Sequence, residues 1–128
     1  MLPLKALTGE GGRTADVIEA IDYVTMLRTK KNVNIVAINA SWGSSMSSRA
    51  LLAAIKRAGD AGIVFVSAAG NNGRDIDMRR YFPASYNCSS SIRVWDCNVT
   101  VGAIGTSGMG TWFSNYGVES VEIAAPGF

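Results

Sequence analysis

The sequence contains no histidine among its 128 residues, which removes the most common general base and a frequent metal ligand. Cysteine is also scarce. With two cysteines, Cys88 and Cys97, the chain cannot supply the roughly four nitrogen and sulfur ligands of a structural zinc site. The polar and aromatic segment between them favours a loop or short hairpin that a disulfide closes, and with it an oxidising compartment, with two reduced thiols as the alternative.

Charge is sparse and nearly balanced. Charged residues make up 17% of the sequence and the net charge is +2, so no basic stripe or acidic tail is present for nucleic acid or anionic lipid. No apolar run approaches the roughly 18 to 20 residues that span a bilayer, and the first residues do not form a signal-peptide pattern. We therefore expect no nucleic-acid partner and no membrane partner. The 48% hydrophobic content predicts a single domain, residues 1–128.

Short β-branched runs alternate with helical patterns along the chain. This alternation predicts an α/β fold with three layers, a mostly parallel sheet of about five strands with crossover helices. The first helix is expected to be capped by Thr14, and the second by Ser47 or Ser48. The predicted strands are Leu2–Leu7, Val33–Ala40, Ile63–Ala69, Val99–Ile104 and Ser120–Ala125.

Small and polar residues follow two strands that are predicted to be neighbours. Ser41-Trp42-Gly43 follows one strand, and Ala68-Ala69-Gly70-Asn71 ends the next. Open parallel sheets form their ligand crevice at the carboxyl ends of the strands, and small residues there let an extended peptide approach the backbone. The amide of Asn71 is suited to donate to a developing oxyanion. Alternatively, Ser41 and Asn71 only satisfy turn hydrogen bonds, and the residues alone favour neither interpretation.

Two weaker patterns suggest other chemistry. The glycine-rich segment from Gly9 to Thr14 lies between a predicted strand and a helix, where backbone amides can bind phosphate. It lacks both the dinucleotide glycine spacing and the lysine of a P-loop, so a plain crossover loop is favoured. Lys5 and Lys56 have apolar neighbours and are candidates for a lysine base in place of histidine. Placement of both charged ends in solvent is the favoured interpretation.

Taken together, six segments resemble subtilisin-like serine proteases, in the order seen in that family and over nearly the whole chain. They are Asn39 to Gly43, Val64 to Gly73, Phe82 to Tyr86, Val99 to Ala103, Phe113 to Gly117 and Ile123 to Gly127. The resemblance implies a largely parallel sheet between helices, polypeptide substrates and peptide hydrolysis through an acyl-enzyme. Together with the cysteine pair, it implies a secreted or extracellular parent protein.

The resemblance also assigns roles to individual residues. Asn71 is similar to the oxyanion-hole asparagine of the family. Ser41, Trp42 and Gly43 resemble the edge segment that pairs with the substrate backbone. Ala68, Ala69 and Gly70 resemble one wall of the pocket for the side chain before the scissile bond.

A weak cation site is found in some members of the family at carbonyl groups that correspond to those of Ala84 and Tyr86. Here the insertion from Cys88 to Cys97 interrupts that loop. The insertion argues against the cation, and the resemblance implies no other cofactor and no catalytic metal.

The catalytic triad of the family is not matched by this sequence. Its aspartate and histidine motifs lie before the point where this chain begins, and its serine motif lies after the point where it ends. In subtilisin, loss of the serine or histidine costs about 10⁶ in turnover, whereas the oxyanion donor is worth about 10²–10³. We therefore expect a central-to-late part of a catalytic domain that does not hydrolyse peptides alone.

An alternative function is a stand-alone module that binds a peptide or small ligand without chemistry. In either case, a doubly wound sheet without flanking elements exposes a strand edge and apolar surface, which predicts self-association.

Overall fold

The computed structural model describes residues 1–8, 11–88 and 96–127. Within these ranges the chain forms two helices and four strands. The helices are α1 (Thr14–Lys30) and α2 (Arg49–Asp60), and the strands are β1 (Ala37–Ala40), β2 (Val64–Ala68), β3 (Asn98–Ile104) and β4 (Ile123–Pro126). The predicted α/β class and parallel sheet are confirmed, although the sheet has four strands rather than about five.

The four strands lie in the order β1-β2-β3-β4, and every neighbouring pair is parallel. In the register of the sheet, Ala40 lies opposite Ser67, and Ser67 lies opposite Thr100. Helix α2 supplies the crossover that parallel pairing of β1 with β2 requires. Since all strands run the same way, their carboxyl ends meet at one edge of the sheet.

The hydrophobic core lies between the two helices and one face of the sheet. Side chains alternate along β2, where Phe65 and Ser67 are buried and Val64 and Val66 are half-buried. Both helices contribute to the cluster that contains Phe65, through Val17, Ile21 and Val24 of α1 and Leu51, Ala54, Ile55 and Ala58 of α2. Among the described residues, both helices lie on this face of the sheet and none lies on the opposite face.

The strand predicted at Leu2–Leu7 is wrong, because this segment is not in a strand. A strand needs a hydrogen-bonded neighbour, and Pro3 also removes one backbone donor. Leu2 and Leu4 remain exposed, whereas Ala6 and Leu7 pack against the core cluster. The apolar residues of this segment therefore serve partly as a cover for the core rather than as a sheet element.

Strand β1 begins later than the predicted Val33–Ala40, and the first residue of the predicted range, Val33, helps to close helix α1 instead. The backbone amides of Lys31 and Val33 both donate to the carbonyl of Leu27, at 3.2 and 3.1 Å. Asn32 between them has a φ of 55°, the left-handed conformation that often follows a helix. Residues used in this way cannot also join the sheet ladder.

The helix starts show one correction and one resolved alternative. Thr14 is the first residue of α1 rather than its cap, and the preceding Arg13 makes no side-chain capping bond. Ser48 caps α2, with its hydroxyl oxygen accepting from the amide of Leu51 at 3.2 Å.

The last of the predicted strands is displaced along the chain, since β4 covers Ile123–Pro126 rather than Ser120–Ala125.

Cys88 and Cys97 form the predicted disulfide, with their Cα atoms 5.4 Å apart and both residues fully buried. The loop or hairpin predicted between them falls on residues 89–95, which lie outside the described ranges. Within the described ranges, no helix combines the length and the apolar character needed to cross a bilayer.

Candidate functional site

An open cleft of about 580 Å³ lies at the carboxyl ends of the strands. It contains four of the site residues predicted from the sequence, Ser41, Ala68, Gly70 and Asn71. The parallel pairing of β1 with β2 brings them together, because the segments that leave both strands emerge at the same edge. The other side of the cleft is formed by β3 and β4, through small residues such as Ala103 and Ala125.

The remaining predicted residues lie beside the cleft rather than in its lining. In extended backbone, successive side chains point to opposite sides. Trp42 therefore turns toward the helical face, where its ring lies 6.3 Å from that of Phe65 in an edge-to-face arrangement. Gly43 and Ala69 do not line the cleft, and Ala69 is buried. Any role for these three residues in binding a peptide is thus a backbone role.

The side chain of Asn71 is exposed in the cleft, and among the described residues it forms no hydrogen bond. Ser41 differs, because its hydroxyl oxygen accepts from the side-chain amide of Asn39 at 3.1 Å. The alternative that both residues only satisfy turn hydrogen bonds therefore fits Ser41 better than Asn71. The Asn71 amide is available to a ligand.

The segment that carries Asn71 is held against residues 112–116 by backbone contacts. Gly70 has a φ of 100°, which favours glycine, and its carbonyl accepts from the amide of Asn115 at 2.9 Å. Gly73, with a φ of 59°, donates its amide to the carbonyl of Phe113 at 2.7 Å. These bonds fix both ends of the turn, so Asn71 lies on anchored backbone.

The side chain of Asn115 adds three hydrogen bonds to this segment. Its Nδ2 donates to the carbonyl of Ala69 at 2.7 Å, and its Oδ1 accepts from the amides of Asn72 and Arg74 at 3.0 and 3.2 Å. Asn115 is 1% exposed, so these bonds are shielded from water. The role of Asn115 was missed from the sequence, where an asparagine beside Tyr116 gives no local signal of so distant a contact.

The ring of Tyr81 packs against two glycines of the site. A side chain on Gly43 would collide with this ring, and a Cβ on Gly70 would lie 2.7 Å from it and 2.5 Å from Nδ2 of Asn115. The guanidinium of Arg74 lies 5.4 Å from the centre of the ring on which it stacks. Tyr81 was also missed from the sequence, yet its ring leaves little room for a side chain at Gly43 or Gly70.

The electrostatic character of the cleft is neutral. None of the described residues that line it carries a side chain that is charged at neutral pH. The shifted carboxylates lie elsewhere, and one of them is Asp77, whose pKa is lowered chiefly by the backbone N–H of Glu119. The cleft can therefore offer hydrogen bonds to a neutral peptide backbone, but the described residues of its lining include no histidine, lysine or carboxylate to act as a base.

The carbonyl groups that mark a cation site in some subtilisin-like proteases already have a partner here. The side-chain Nδ2 of Asn98 donates to the carbonyls of Ala84 and Tyr86 at 3.3 and 3.4 Å. The hydroxyl of Thr100 also donates to the carbonyl of Ala84, at 2.9 Å. Asn98 is 2% exposed. An amide donor thus occupies the side of these oxygens that faces the core.

The weaker sequence patterns lie away from the cleft. Lys5 is exposed near the start of the chain, and Lys56 lies on α2, on the helical side of the sheet; neither lines the cleft. Of the glycine-rich segment, Gly9 and Glu10 lie outside the described residues, and the amide of Gly11 donates to the carbonyl of Thr8 at 3.0 Å.

The sequence matches the model of the subtilase family, peptidase S8, over residues 1–128. This chain belongs to the subtilase family. A thermostable alkaline protease from Halalkalibacterium halodurans is 37% identical over 125 residues, which is 97% of this chain and 29% of the relative. An extracellular serine proteinase from a Thermus species is 35% identical over 126 residues, which is 98% of this chain and 27% of the relative.

The fold agrees with the sequence matches. The crystal structure of a cold adapted subtilisin-like serine proteinase superimposes with a TM-score of 0.74 and 31% identity. The superposition covers 95% of this chain and 39% of that protein. This subtilase chain therefore spans well under half the length of the relatives it matches.

Proposed function

We propose that this chain is the part of a subtilisin-like serine endopeptidase that holds the substrate backbone and supplies one oxyanion donor. The observation that carries the proposal is the Asn71 amide, exposed in a cleft at the carboxyl ends of β1 and β2. Ser41 and Gly70 give this cleft small, backbone-rich walls suited to an extended peptide. The substrate class, polypeptides, comes from the family.

We propose in addition that the chain alone does not hydrolyse peptides. The 128 residues include no histidine, and the part of the cleft lining that the structure describes includes no lysine or carboxylate to act as a base. An oxyanion donor lowers the barrier only after a nucleophile has been activated. Its contribution of about 10²–10³ in rate is far smaller than the roughly 10⁶ lost without the serine or histidine.

The test is a turnover assay of the purified chain with a chromogenic peptide, beside the Asn71→Ala variant. Both proteins should release product at the rate of the buffer blank. Turnover by the unmodified chain that disappears in Asn71→Ala would contradict the proposal, since a contaminating protease would be equally active in both samples.

A binding titration separates the two functions left open by the sequence. Weak peptide binding that Asn71→Ala reduces is expected for a segment of a protease cleft. Tight and saturable binding of a peptide or small ligand, lost on substitution of Asn71, would favour a stand-alone binding module. We propose no cofactor. The support is the insertion from Cys88 to Cys97, which interrupts the loop of the family's cation site, together with the Asn98 amide, which engages the carbonyls of Ala84 and Tyr86 from the core side.

We also propose an extracellular location for the parent protein, and self-association for the chain alone. The buried disulfide of Cys88 with Cys97 and the extracellular Thermus relative support the location. Self-association is supported by the outer edge of β1, which pairs with no other strand among the described residues.

A further inference from the structure

We propose that Asn115 is the positioning residue for the Asn71 donor, and that it acts by holding the backbone on both sides of Asn71. The inference rests on the proposed function of the cleft, because a donor needs positioning only if a ligand uses it. Among the described residues, the side-chain hydrogen bonds of Asn115 all go to backbone atoms, and none goes to the side chain of Asn71.

The contacts of Asn115 bracket Asn71 closely. Before Asn71, its Nδ2 binds the carbonyl of Ala69 and its own amide binds the carbonyl of Gly70. After Asn71, its Oδ1 binds the amides of Asn72 and Arg74. One side chain of two polar atoms thus satisfies three backbone groups of a turn that has few partners of its own.

The burial of Asn115 makes this arrangement specific. At 1% exposure, water cannot replace a lost partner without entering the structure. The missing side chain at Gly70 is part of the same arrangement, because a Cβ there would lie 2.5 Å from Nδ2 of Asn115. A donor that stabilises a developing charge must be held near its productive geometry, and Asn115 supplies that support.

The experiment compares two peptides, an N-acetylated tetra-alanine with a free carboxylate and the same peptide with a carboxamide end. The carboxylate of the first resembles a hydrolysis product, with a charged oxygen available to the Asn71 amide. NMR titration of the unmodified chain should show about tenfold tighter binding of the carboxylate peptide, as for one hydrogen bond to a charged group. Asn71→Ala should reduce this preference to within twofold.

Asn115→Ala should also reduce the carboxylate preference to within twofold, although Asn71 is still present. The double variant should lose no more preference than either single variant, because both changes disable the same donor, the Asn71 amide. A tenfold preference retained in Asn115→Ala, or losses that add in the double variant, would overturn the inference.

Asn98→Ala is the matched control for simple destabilisation. It removes an asparagine that is similarly buried, at 2% exposure, whose Nδ2 donates to three carbonyls, those of Pro83, Ala84 and Tyr86. This variant should melt at a lower temperature but keep the carboxylate preference. Loss of the preference in Asn98→Ala as well would assign the effect of Asn115 to general stability and overturn the inference.

A second variant and a ligand-free measurement keep the inference testable if Asn115→Ala does not fold. Asn115→Asp keeps the acceptor for Asn72 and Arg74 but loses the donor to Ala69. In this variant, the heteronuclear NOE of the amides of residues 70–74 should fall while that of β2 is unchanged. If neither variant folds, the heteronuclear NOE of residues 70–74 in the unmodified chain is the test. Low values there would show that Asn115 does not hold the turn.

The ligand-free measurement also separates the two proposals. No carboxylate preference in the unmodified chain would contradict the proposed function of the cleft. The NOE values then test the positioning role of Asn115 by themselves. A drop at residues 70–74 in Asn115→Asp supports it, and unchanged values refute it.

Discussion

At the scale of single residues, the contact of Gly43 with Tyr81 predicts a measurable coupling. The three atoms nearest to a side chain placed on Gly43 all belong to Tyr81, and the backbone there has no left-handed strain. Gly43→Ala should therefore lower the free energy of unfolding by about 1–3 kcal/mol through overpacking. Thermal or urea denaturation measures the change.

The origin of this loss can be checked with two changes at Tyr81. In the Tyr81→Ala background the ring is gone, so Gly43→Ala should cost much less than in the unmodified chain. In the Tyr81→Phe background the ring remains, so the full loss should persist. Equal losses in both backgrounds would show that the glycine is required for another reason.

The residue scale is also where the sequence predicted least. Ser41 and Asn71 were found because they follow apolar runs, and residues at strand ends of a parallel sheet converge. The contribution of Asn115 depends on a contact with Ala69 across 46 positions. No local pattern encodes such a separation, so the support of the site becomes visible only when the segments are placed together.

At the scale of secondary structure, the cap of α2 predicts a matched pair of serine substitutions. Ser48→Ala removes the oxygen that accepts from the amide of Leu51, and should lower the free energy of unfolding by about 1 kcal/mol. The bonds between the Ser48 backbone and the hydroxyl of Tyr86 do not need the serine side chain and should persist.

Ser47→Ala is the control for this prediction. Ser47 is exposed and precedes the cap, so its substitution should change stability by no more than about 0.5 kcal/mol. The reverse order of the two effects in urea denaturation would show that the cap lies at Ser47.

The connection before β4 should respond to acid through Asp77. Its Oδ2 accepts from the amide of Glu119 at 2.9 Å, and this bond is the largest cause of its lowered pKa, followed by the side chain of Ser120. A lowered pKa in the folded state means that the stabilisation is present above the ordinary value of 3.8 and is lost as the pH falls below it.

An NMR titration from pH 6 to pH 2.5 tests this local effect. The amide resonances of Val118 and Glu119 should move as Asp77 is protonated, with a midpoint below 3.8, and Asp77→Asn should abolish that step. A midpoint above 3.8 would mean that the folded chain favours the protonated acid, which contradicts the bond to Glu119.

Elements were predicted well where the signal is local and poorly where it depends on a neighbour. The helical spacing of Val17, Ile21 and Val24 is a property of the helix itself, and these residues are the buried face of α1. The apolar segment Leu2–Leu7 resembles a strand, but a strand exists only when a second strand pairs with it. The start of β1 depended in the same way on how α1 ends at Asn32.

At the scale of the whole molecule, the described residues place helices on one face of the sheet and none on the other. Val66 and Ala68 of β2, with Val101 and Ala103 of β3, form a half-buried apolar surface on the face opposite both helices. The outer edge of β1 adds backbone groups without a strand partner among the described residues, next to Val36, which is 61% exposed. Such surfaces favour association between copies.

Sedimentation velocity over about 1 to 500 µM should therefore show a concentration-dependent oligomer of the unmodified chain. Val36→Lys places a charge at the β1 edge and should raise the dissociation constant about tenfold or more, because a lysine on an edge strand opposes pairing. Val118→Lys is the control, since Val118 is 99% exposed in the connection before β4. It should leave the dissociation constant unchanged within about twofold.

The opposite edge distinguishes the mode of association. Ile123 is 54% exposed at the start of β4, so Ile123→Lys charges the other edge of the same sheet. An effect of Val36→Lys alone indicates pairing of one β1 with a second β1, the closed twofold arrangement that uses the same edge on both copies. Equal effects of both variants indicate head-to-tail addition of β1 to β4, which does not close and should give species that grow with concentration. A monomer at every concentration would contradict the proposed self-association, and the apolar face would then be stable in water without a partner.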